Sequence, residues 1–297
     1  MQGLLADRVA IVTGAGRGLG RAHSLAMARH GARVLVNDLD AAAAKDVGAE
    51  IASLGGEALT DAANVQDCAA VERMVAAALH RWGKVDILVN NAGILRDRTF
   101  AKLDLADFRL VMDVHLMGSV MCTRAVWPHM KERGYGRIVL TTSSSGLYGN
   151  FGQTAYAAAK MALVGLMQTL ALEGERHGIR VNCLAPSAAT QMTGELWSAE
   201  DLAALDPRRV SPGVVALASE RAPSKCILLA GAGSFKLAHI TMTQGVYLPD
   251  EPLGAEQILA QWERIADRAG ELVPGKGFEQ YQYEVAQARE HPAASYP

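Results

Sequence analysis

Apolar and polar positions along this chain change period in a regular way. From Arg8 to about Gly233, short runs rich in β-branched residues alternate with longer stretches whose apolar residues recur at helical spacing. That alternation predicts βα units assembling a parallel sheet. The runs read as strands are Val9–Thr13, Arg33–Asn37, Ala58–Asp61, Ile87–Asn90, Arg137–Thr142, Arg180–Leu184 and Ile227–Ala230. Those near Ile87 and Ile138 are apolar at almost every position, as strands must be when helices cover both faces of their sheet. The expected class is therefore α/β: a single doubly wound (Rossmann) domain with a seven-stranded parallel sheet. One intervening helix is expected from Leu103 to about Met130, with Pro128 kinking or ending it.

Beyond Pro186 the periodicity fades. Ser187 to Leu205 mixes Thr, Gly, Trp and acidic residues and reads as a mobile cover over a site. From His239 the chain is punctuated by Pro and Gly, with one helix expected over Glu256–Arg268 and then a polar tail rich in Gln and Glu. That segment has too few apolar residues to bury a core of its own. The expected organisation is a dinucleotide-binding domain over 1–238, which includes the cover at about 187–205, and a C-terminal extension over 239–297.

Composition narrows the partners. Of 297 residues, 29 are Lys or Arg and 31 Asp or Glu, a net charge of -2 that gives no footprint for nucleic acid or an anionic membrane surface. Small molecules and other protein chains remain. Cys68, Cys122, Cys183 and Cys226 are scattered without a Cys-x-x-Cys pair, so no disulfide framework or metal site is expected, and a reducing cytoplasm fits. Met1 to Arg8 has no apolar signal core and no apolar run approaches about 20 residues, so neither secretion nor a membrane span is expected. The final Ser295-Tyr296-Pro297 is no peroxisomal Ser-Lys-Leu address.

The candidate chemistry sits where predicted strands end. The first strand runs into Thr13-Gly14-Ala15-Gly16-Arg17-Gly18-Leu19-Gly20 and then a helix. Glycines there let the backbone approach a pyrophosphate, and the helix N-terminus offers N–H groups to the anion. Glycine-rich turns are common, but strand and helix flank this one correctly for a dinucleotide. Asp38 follows the second strand, where a carboxylate bonds both ribose hydroxyls and repels a 2′-phosphate, favouring NAD over NADP. Arg17 is the counter-signal, readable as a 2′-phosphate ligand or a solvated loop cation. Asn90-Asn91-Ala92-Gly93 ends the fourth strand with amides that brace the turn and small residues that admit a cofactor; an ordinary polar turn is the alternative.

Ser143, at the end of the fifth strand, is placed to hydrogen-bond a reacting oxygen, while Ser144 or Ser145 could merely cap a helix. Tyr156 and Lys160 lie four apart on the following helix, so phenol and ammonium share one face. A base working near neutrality needs the phenol's pKa of about 10 lowered by roughly three units, or about 4 kcal/mol. A unit charge about 4 Å away supplies about that much at an effective dielectric of about 20. Chance also places tyrosine and lysine at this spacing.

Thr-Gly-x-x-x-Gly-x-Gly, Asn-Asn-Ala-Gly, Ser143 and Tyr-x-x-x-Lys, in this order, resemble the short-chain dehydrogenase/reductase superfamily over about residues 5 to 235. The resemblance implies that Tyr156 is the general acid/base, that Lys160 lowers its pKa and holds the nicotinamide ribose, and that Ser143 orients the substrate oxygen. It likewise implies that Asn64, Val65, Asn91, Ala92, Gly93 and Pro186 join the glycine loop around the cofactor. His115 stands where the superfamily commonly has a catalytic asparagine, Ser187 replaces the usual glycine after Pro186, and Asn64 replaces an acidic residue. Asn91 to Phe100, Val114-His115-Leu116, Tyr148 to Gln153 and Gly231-Ala232-Gly233 are similar to the dehydrogenase part of the peroxisomal multifunctional enzyme type 2 family. The region around Trp262 also resembles that family's extension.

That similarity implies NAD-dependent oxidation of (3R)-3-hydroxyacyl-CoA and a homodimer or homotetramer built through the long helices. It also implies that any hydratase is a separate chain. Arg96, Arg98 and Lys102 could meet the phosphates of CoA or form a solvated basic loop. Three alternatives stay open: a hydroxysteroid dehydrogenase with Met192, Leu196 and Trp197 lining a wide pocket, an NADP-dependent 3-oxoacyl reductase, and a protein that binds NAD without turnover.

Overall fold

Successive strand residues point to opposite faces of a sheet, and here each face meets a different apolar layer. In β1 (Val9–Thr13), Ala10 and Val12 enter one layer and Ile11 the other. The same division recurs in β4 (Ile87–Asn90), where Ile87 and Val89 oppose Leu88, and in β5 (Gly136–Thr141), where Val139 opposes Ile138 and Leu140. The first layer is closed by α1 (Gly18–Arg29), α2 (Ala41–Ser53) and α9 (Ser211–Ala218). The second is closed by α3 (Cys68–Trp82), α5 (Gly118–Arg133) and α7 (Thr154–Gly174). The result is a helix–sheet–helix sandwich whose central strands are buried throughout.

The structure is a computed structural model that describes residues 3–189, 198–248 and 254–290. The remaining strands are β2 (Arg33–Asn37), β3 (Ala58–Asp61), β6 (Ile179–Ser187), β7 (Ile227–Gly231) and β8 (Ser234–Ala238). They lie in the order β3-β2-β1-β4-β5-β6-β7-β8, parallel except for β8. The sheet thus has eight strands where the pattern predicts seven. The additional strand is the second arm of a hairpin: Gly231 pairs with Ser234, leaving a two-residue turn. Ala232 and Gly233 there take φ of 49° and 79°, the positive values that such a turn requires at both positions.

Other boundaries move for identifiable reasons. The helix expected to kink or end at Pro128 runs through it to Arg133, where Gly134 closes it in the left-handed region with φ 65°. Cys122, Val126 and Met130 hold α5 on the sheet across the proline. Irregular winding falls earlier, at a π turn over Asp113–Met117 between α4 (Leu105–Met112) and α5. α7 and its next turn, 154–177, are long and apolar enough to meet the composition of a membrane span, but the apolar face packs on β5 and β6. Within the expected cover, residues 190–197 lie outside the described residues, Met192, Leu196 and Trp197 among them, and α8 (Ala199–Ala204) follows.

The chain divides into two compact units, Met1–Ala238 and His239–Pro297. In the second, the helix expected over Glu256–Arg268 is two short ones, α10 (Ala255–Ala260) and α11 (Trp262–Ile265). The polar tail carries a helix of its own, α12 (Phe278–Glu290). None of the described residues of this unit is buried.

At the end of the sheet remote from the strand C-termini, Arg137 is buried and spends its guanidinium on carbonyls. Nε donates to Ser219 O (2.9 Å), Nη1 to Gly136 O and Gly178 O (2.7 and 3.0 Å), and Nη2 to Glu220 O (3.2 Å). Two of these acceptors follow α9, whose C-terminus favours a cation. Tyr135 is held between Arg137 and Arg8, 4.2 and 3.6 Å from its ring centroid. Arg137→Met is expected to lower stability by roughly 3 kcal/mol, because the buried carbonyls lose their donor; the urea-unfolding midpoint measures it.

Candidate active site

The strand order reverses between β1 and β4, which leaves a crevice beyond their C-terminal ends. A cavity of about 460 Å³ opens there, of the size that small-molecule sites occupy. Each of the first six strands delivers a wall residue at or just after its end: Gly14, Asp38, Asn64, Asn91, Thr141 and Pro186.

The glycine loop is compressed under this cavity. A Cβ on Gly20 would lie 2.1 Å from Gly14 O, and one on Gly14, whose φ is +61°, would lie 2.7 Å from Ala92 Cα. The turn therefore packs against the end of β4 in a way that only glycine allows. Asn91 fixes it: Nδ2 donates to Thr13 O and Gly14 O at 3.1 and 2.9 Å, while Thr13 Oγ1 accepts from the N–H groups of Asn91 and Ala92 at 3.1 Å. α1 then starts without a side-chain cap and with no acidic residue in its first turn, and Gly18 and Leu19 line the cavity. Uncapped N–H groups at a helix start on a cavity wall suit a phosphate anion. The glycine cradle and the carboxylate of Asp38 on the same wall fit a dinucleotide.

Asp38 is held rigidly, Oδ2 accepting from Gly16 N–H at 2.8 Å and Oδ1 from Asp40 N–H at 3.0 Å. Arg17 is neither a free loop cation nor a lone anion ligand, since its Nη2 pairs with Asp40 Oδ2 at 2.5 Å.

The catalytic candidates meet where β5 passes through α6 (Ser144–Tyr148) into α7. Lys160 is 3% exposed. Its Nζ donates to Thr141 O at 2.5 Å, and its backbone carbonyl accepts from Thr142 Oγ1 at 2.6 Å. Nζ lies 5.5 Å from the centroid of the Tyr156 ring, so the two side chains share a face. Burial lowers the Lys160 pKa to about 7. Tyr156 departs from expectation: burial holds its pKa above the ordinary phenol value, a hydrogen bond from Ser143 works the other way, and the Asp97 carboxylate adds to the rise. Desolvation of the phenol outweighs the Ser143 hydrogen bond, and Lys160 directs Nζ to Thr141.

Of the three serines, Ser143 is the one that reaches Tyr156, and it also caps α6 by accepting from Ser145 N–H at 3.2 Å. Ser145 is spent on Gln153 Oε1 at 2.8 Å and on Asn150 Nδ2 at 3.2 Å.

His115 sits on the π turn, 2% exposed, its ring edge-on to Tyr156 at 5.3 Å and 87°. Its Nε2 is within hydrogen-bonding distance of both Ile94 N–H (3.0 Å) and Ile94 O (2.8 Å), and Nδ1 is buried without a partner. Burial, with Lys160 adding to it, lowers its pKa to about 3, so the imidazole is neutral at physiological pH. Gly93 makes room, since a Cβ there would lie 2.4 Å from His115 Cε1. π turns interrupt helices frequently at functional sites.

Among the expected site residues, Gly14, Arg17, Gly18, Leu19, Asp38, Asn64, Val65, Asn91, Ala92, Gly93, His115, Tyr156, Lys160 and Pro186 line the cavity. Gly16, Gly20 and Ser143 do not, and act through the loop and through Tyr156. Sequence reasoning misses Asn37, Leu39, Ala63, Gln66, Ile94, Leu110, Val114 and Thr141 on the wall. Leu110 and Val114 carry the one available signal, the helical spacing of four between them.

The family model of short chain dehydrogenases matches residues 8–201. A short-chain type dehydrogenase/reductase of Mycobacterium tuberculosis is 42% identical over 279 residues, 91% of this chain and 97% of that protein. Peroxisomal multifunctional enzyme type 2 of Mus musculus is 43% identical over 88% of this chain, which spans 37% of that enzyme. The structure of the full-length Drosophila melanogaster enzyme of that name superimposes with a TM-score of 0.84 at 36% identity, over 96% of this chain and 50% of the other. A 7α-hydroxysteroid dehydrogenase complexed with NADH and 7-oxo glycochenodeoxycholic acid superimposes with a TM-score of 0.73 at 30% identity, over 78% of this chain and 96% of the other. The chain thus spans a third to a half of its multifunctional relatives and nearly the whole of the mycobacterial one.

Lys160 binds its proton more weakly in the fold, at about 7, than in the unfolded chain, near 10.5. Its penalty on stability is therefore fully present below about pH 7, shrinks as pH rises, and is gone above about 10.5. Lys160→Met is expected to raise the melting temperature at pH 7, by an amount that diminishes toward pH 10, while turnover falls at least about 100-fold; melting curves across pH and initial rates check both.

Proposed function

The chain belongs to the short-chain dehydrogenase family, and on that premise we propose that it oxidises the 3-hydroxyl of a (3R)-3-hydroxyacyl-CoA to the 3-oxoacyl-CoA with NAD, in the cytoplasm. Membership shows an oxidoreductase acting on CH–OH with a nicotinamide cofactor. The observation that carries the reading is the half-buried phenol of Tyr156, hydrogen-bonded by Ser143, on the wall of a cavity that the glycine loop also lines.

The residues divide the work by position. The loop Gly14 to Gly20 and the start of α1 would hold the pyrophosphate, Asp38 the adenosine ribose hydroxyls, and Tyr156 with Lys160 the nicotinamide ribose. Bound oxidised nicotinamide supplies the hydride acceptor and a positive charge. In its ionised form Tyr156 would take the proton of the substrate hydroxyl at its phenol oxygen, acting as general base, while the carbon-bound hydrogen would leave as hydride to the nicotinamide. Ser143 Oγ donates to the oxygen as it becomes a carbonyl. Lys160 ties α7 to β5 with its Nζ 5.5 Å from the Tyr156 ring centroid, while the neutral ring of His115 packs edge-on against that ring. Asp38 supports NAD, because its carboxylate would repel a 2′-phosphate.

The substrate half of the reading rests on the relatives named as multifunctional enzymes and on the loop after β4, where Ile94 and Arg96 line the cavity. Arg96, Arg98 and Lys102 stand on the loop after β4, which is stitched to the loop before α7 by Arg98 N–H on Gly152 O (2.9 Å) and by Gln153 Nε2 on Asp97 Oδ2 (2.7 Å). Arg96 lies 3.5 Å from Asp107, whereas no carboxylate among the described residues pairs with Arg98 or Lys102. Phe100, Leu105, Tyr148 and Phe151 are exposed on the same loops and flanking helices. Cations without a carboxylate partner, Arg98 donating only to Asp97 O at 3.0 Å, beside exposed apolar side chains suit a phosphate-bearing ligand with a long apolar part. An apolar groove between α5 and α7, lined by Val120, Trp127, Leu166 and Leu170, supports the further reading that copies of the chain pair through these helices.

A second reading, a hydroxysteroid dehydrogenase, is favoured by the likeness to the steroid enzyme. Rates on (3R)- and (3S)-hydroxyacyl-CoA of several lengths and on free steroids separate the two, and a preference for a free steroid or for the (3S) form overturns the proposal. Tyr156→Phe is expected to cut turnover by about 10³-fold while NADH still binds, as fluorescence titration would show; near-normal turnover removes Tyr156 from the chemistry. Reversing charge with Arg98→Glu and Lys102→Glu together should raise KM for acyl-CoA about tenfold with kcat little changed. An unchanged KM takes these two cations out of the site.

A further inference from the structure

Resting on the NAD reading above, we propose that Asp40 is a second determinant of cofactor choice: by engaging the guanidinium of Arg17 it withholds that cation from the adenosine ribose, so exclusion of a 2′-phosphate depends on Asp38 and Asp40 together. Asp38 and Arg17 both line the cavity, and their charges pull cofactor choice in opposite directions. An arginine there is suited to a phosphate, which it can bind through two parallel N–H donors. Arg17 does not present them freely, because Nη2 sits 2.5 Å from Asp40 Oδ2.

Asp40 is able to hold its partner because it is itself fixed. Its Oδ1 caps α2, accepting from Ala42 N–H at 3.1 Å and Ala43 N–H at 3.2 Å, and leaves Oδ2 for the arginine. Its backbone N–H in turn donates to Asp38 Oδ1 at 3.0 Å. One short turn therefore orients the carboxylate that selects against the phosphate and occupies the cation that would accept it. The sequence alone shows Arg17 as a counter-signal to Asp38; the structure supplies the group that silences it.

The ion pair is exposed, 62% on Arg17 and 42% on Asp40, and exposed pairs are weak. Asp40→Ser on its own is thus expected to improve NADPH binding relative to NADH only roughly 2- to 5-fold. The main effect appears where the repulsion of Asp38 is already gone. Serine, like Asp40→Asn, keeps the helix cap, so α2 is preserved in either variant.

The test is direct binding, by fluorescence titration of NADH and NADPH against the wild type, Asp38→Ser, Asp40→Ser and the double variant, each with and without Arg17→Gln. Expected is a change in the NADPH to NADH affinity ratio in the double variant that exceeds the product of the two single changes at least threefold, an excess that Arg17→Gln abolishes. Strict multiplicativity overturns the proposal. So does an equal gain from Asp40→Ser in the presence of Arg17→Gln, which would show the aspartate acting by its own charge. A wild-type protein that prefers NADPH is a separate result, read before any variant, and it overturns the NAD reading and the role of Asp40 with it.

Discussion

An ammonium group buried at the junction of β5 and α7 is the constraint from which the site follows. Lys160 is almost wholly removed from water, and an amine in that position must find an acceptor. It finds one in Thr141 O, the last residue of β5, while Thr142 takes hold of the lysine's own carbonyl. Gly146 lets α6 lie directly against it, since a Cβ there would approach Lys160 Cβ to 2.8 Å. Head and backbone of one residue are thus tied to the end of one strand, which fixes the start of α7. Tyr156, four residues earlier on that helix, is then set beside Ser143, which leaves β5 two residues after Thr141. The crevice for a dinucleotide is a consequence of strand order; the catalytic group is a consequence of this single junction.

What was legible in the sequence follows the same physical divide. β1, β2 and β4 begin and end where the apolar runs do, because strands buried on both faces need continuous apolar side chains and stop where polar groups must reach solvent, and the half-buried edge strand β3 is placed by the βα alternation around it. β8 was not legible: four of its five residues are exposed, so no core imposes a pattern on it, and as an antiparallel hairpin arm it lies outside the βα alternation. Its only announcement is the Gly-Ala-Gly turn before it. In the site, the glycines, Asp38, Asn91 and the Tyr156–Lys160 pair were readable because each is demanded by backbone geometry or by charge. Leu39, Gln66, Ile94 and Leu110 were not, because a wall needs only shape. The phenol's direction of shift was not readable either, since spacing says that two side chains share a face and nothing about where an ammonium points.

His115 shows how a departure from the family pattern is absorbed. A buried imidazole with a pKa near 3 stays neutral at working pH, so it cannot serve as a proton donor in the charged form. Its contacts are structural ones. One nitrogen joins the loop after β4 to the α4–α5 helix through Ile94, and the ring edge supports Tyr156. The π turn is the local distortion that brings the ring to that place, and Gly93 is the vacancy opposite it. Both accommodations are invisible without the partner they serve.

Burial pushes Tyr156 up and Lys160 down, so above about pH 7 each is driven to its uncharged form. Lysine's value to the phenol is then less the fixed charge that spacing suggests than the geometry and the N–H donors it holds in place. A positive charge brought into the cavity would act on both groups in the same direction, lowering the pKa of each. For the lysine this means easier loss of its proton; for the phenol it means easier formation of the base. Above about pH 7 the phenol and the amine are thus both uncharged, and an added positive charge beside them would favour the ionised form of Tyr156.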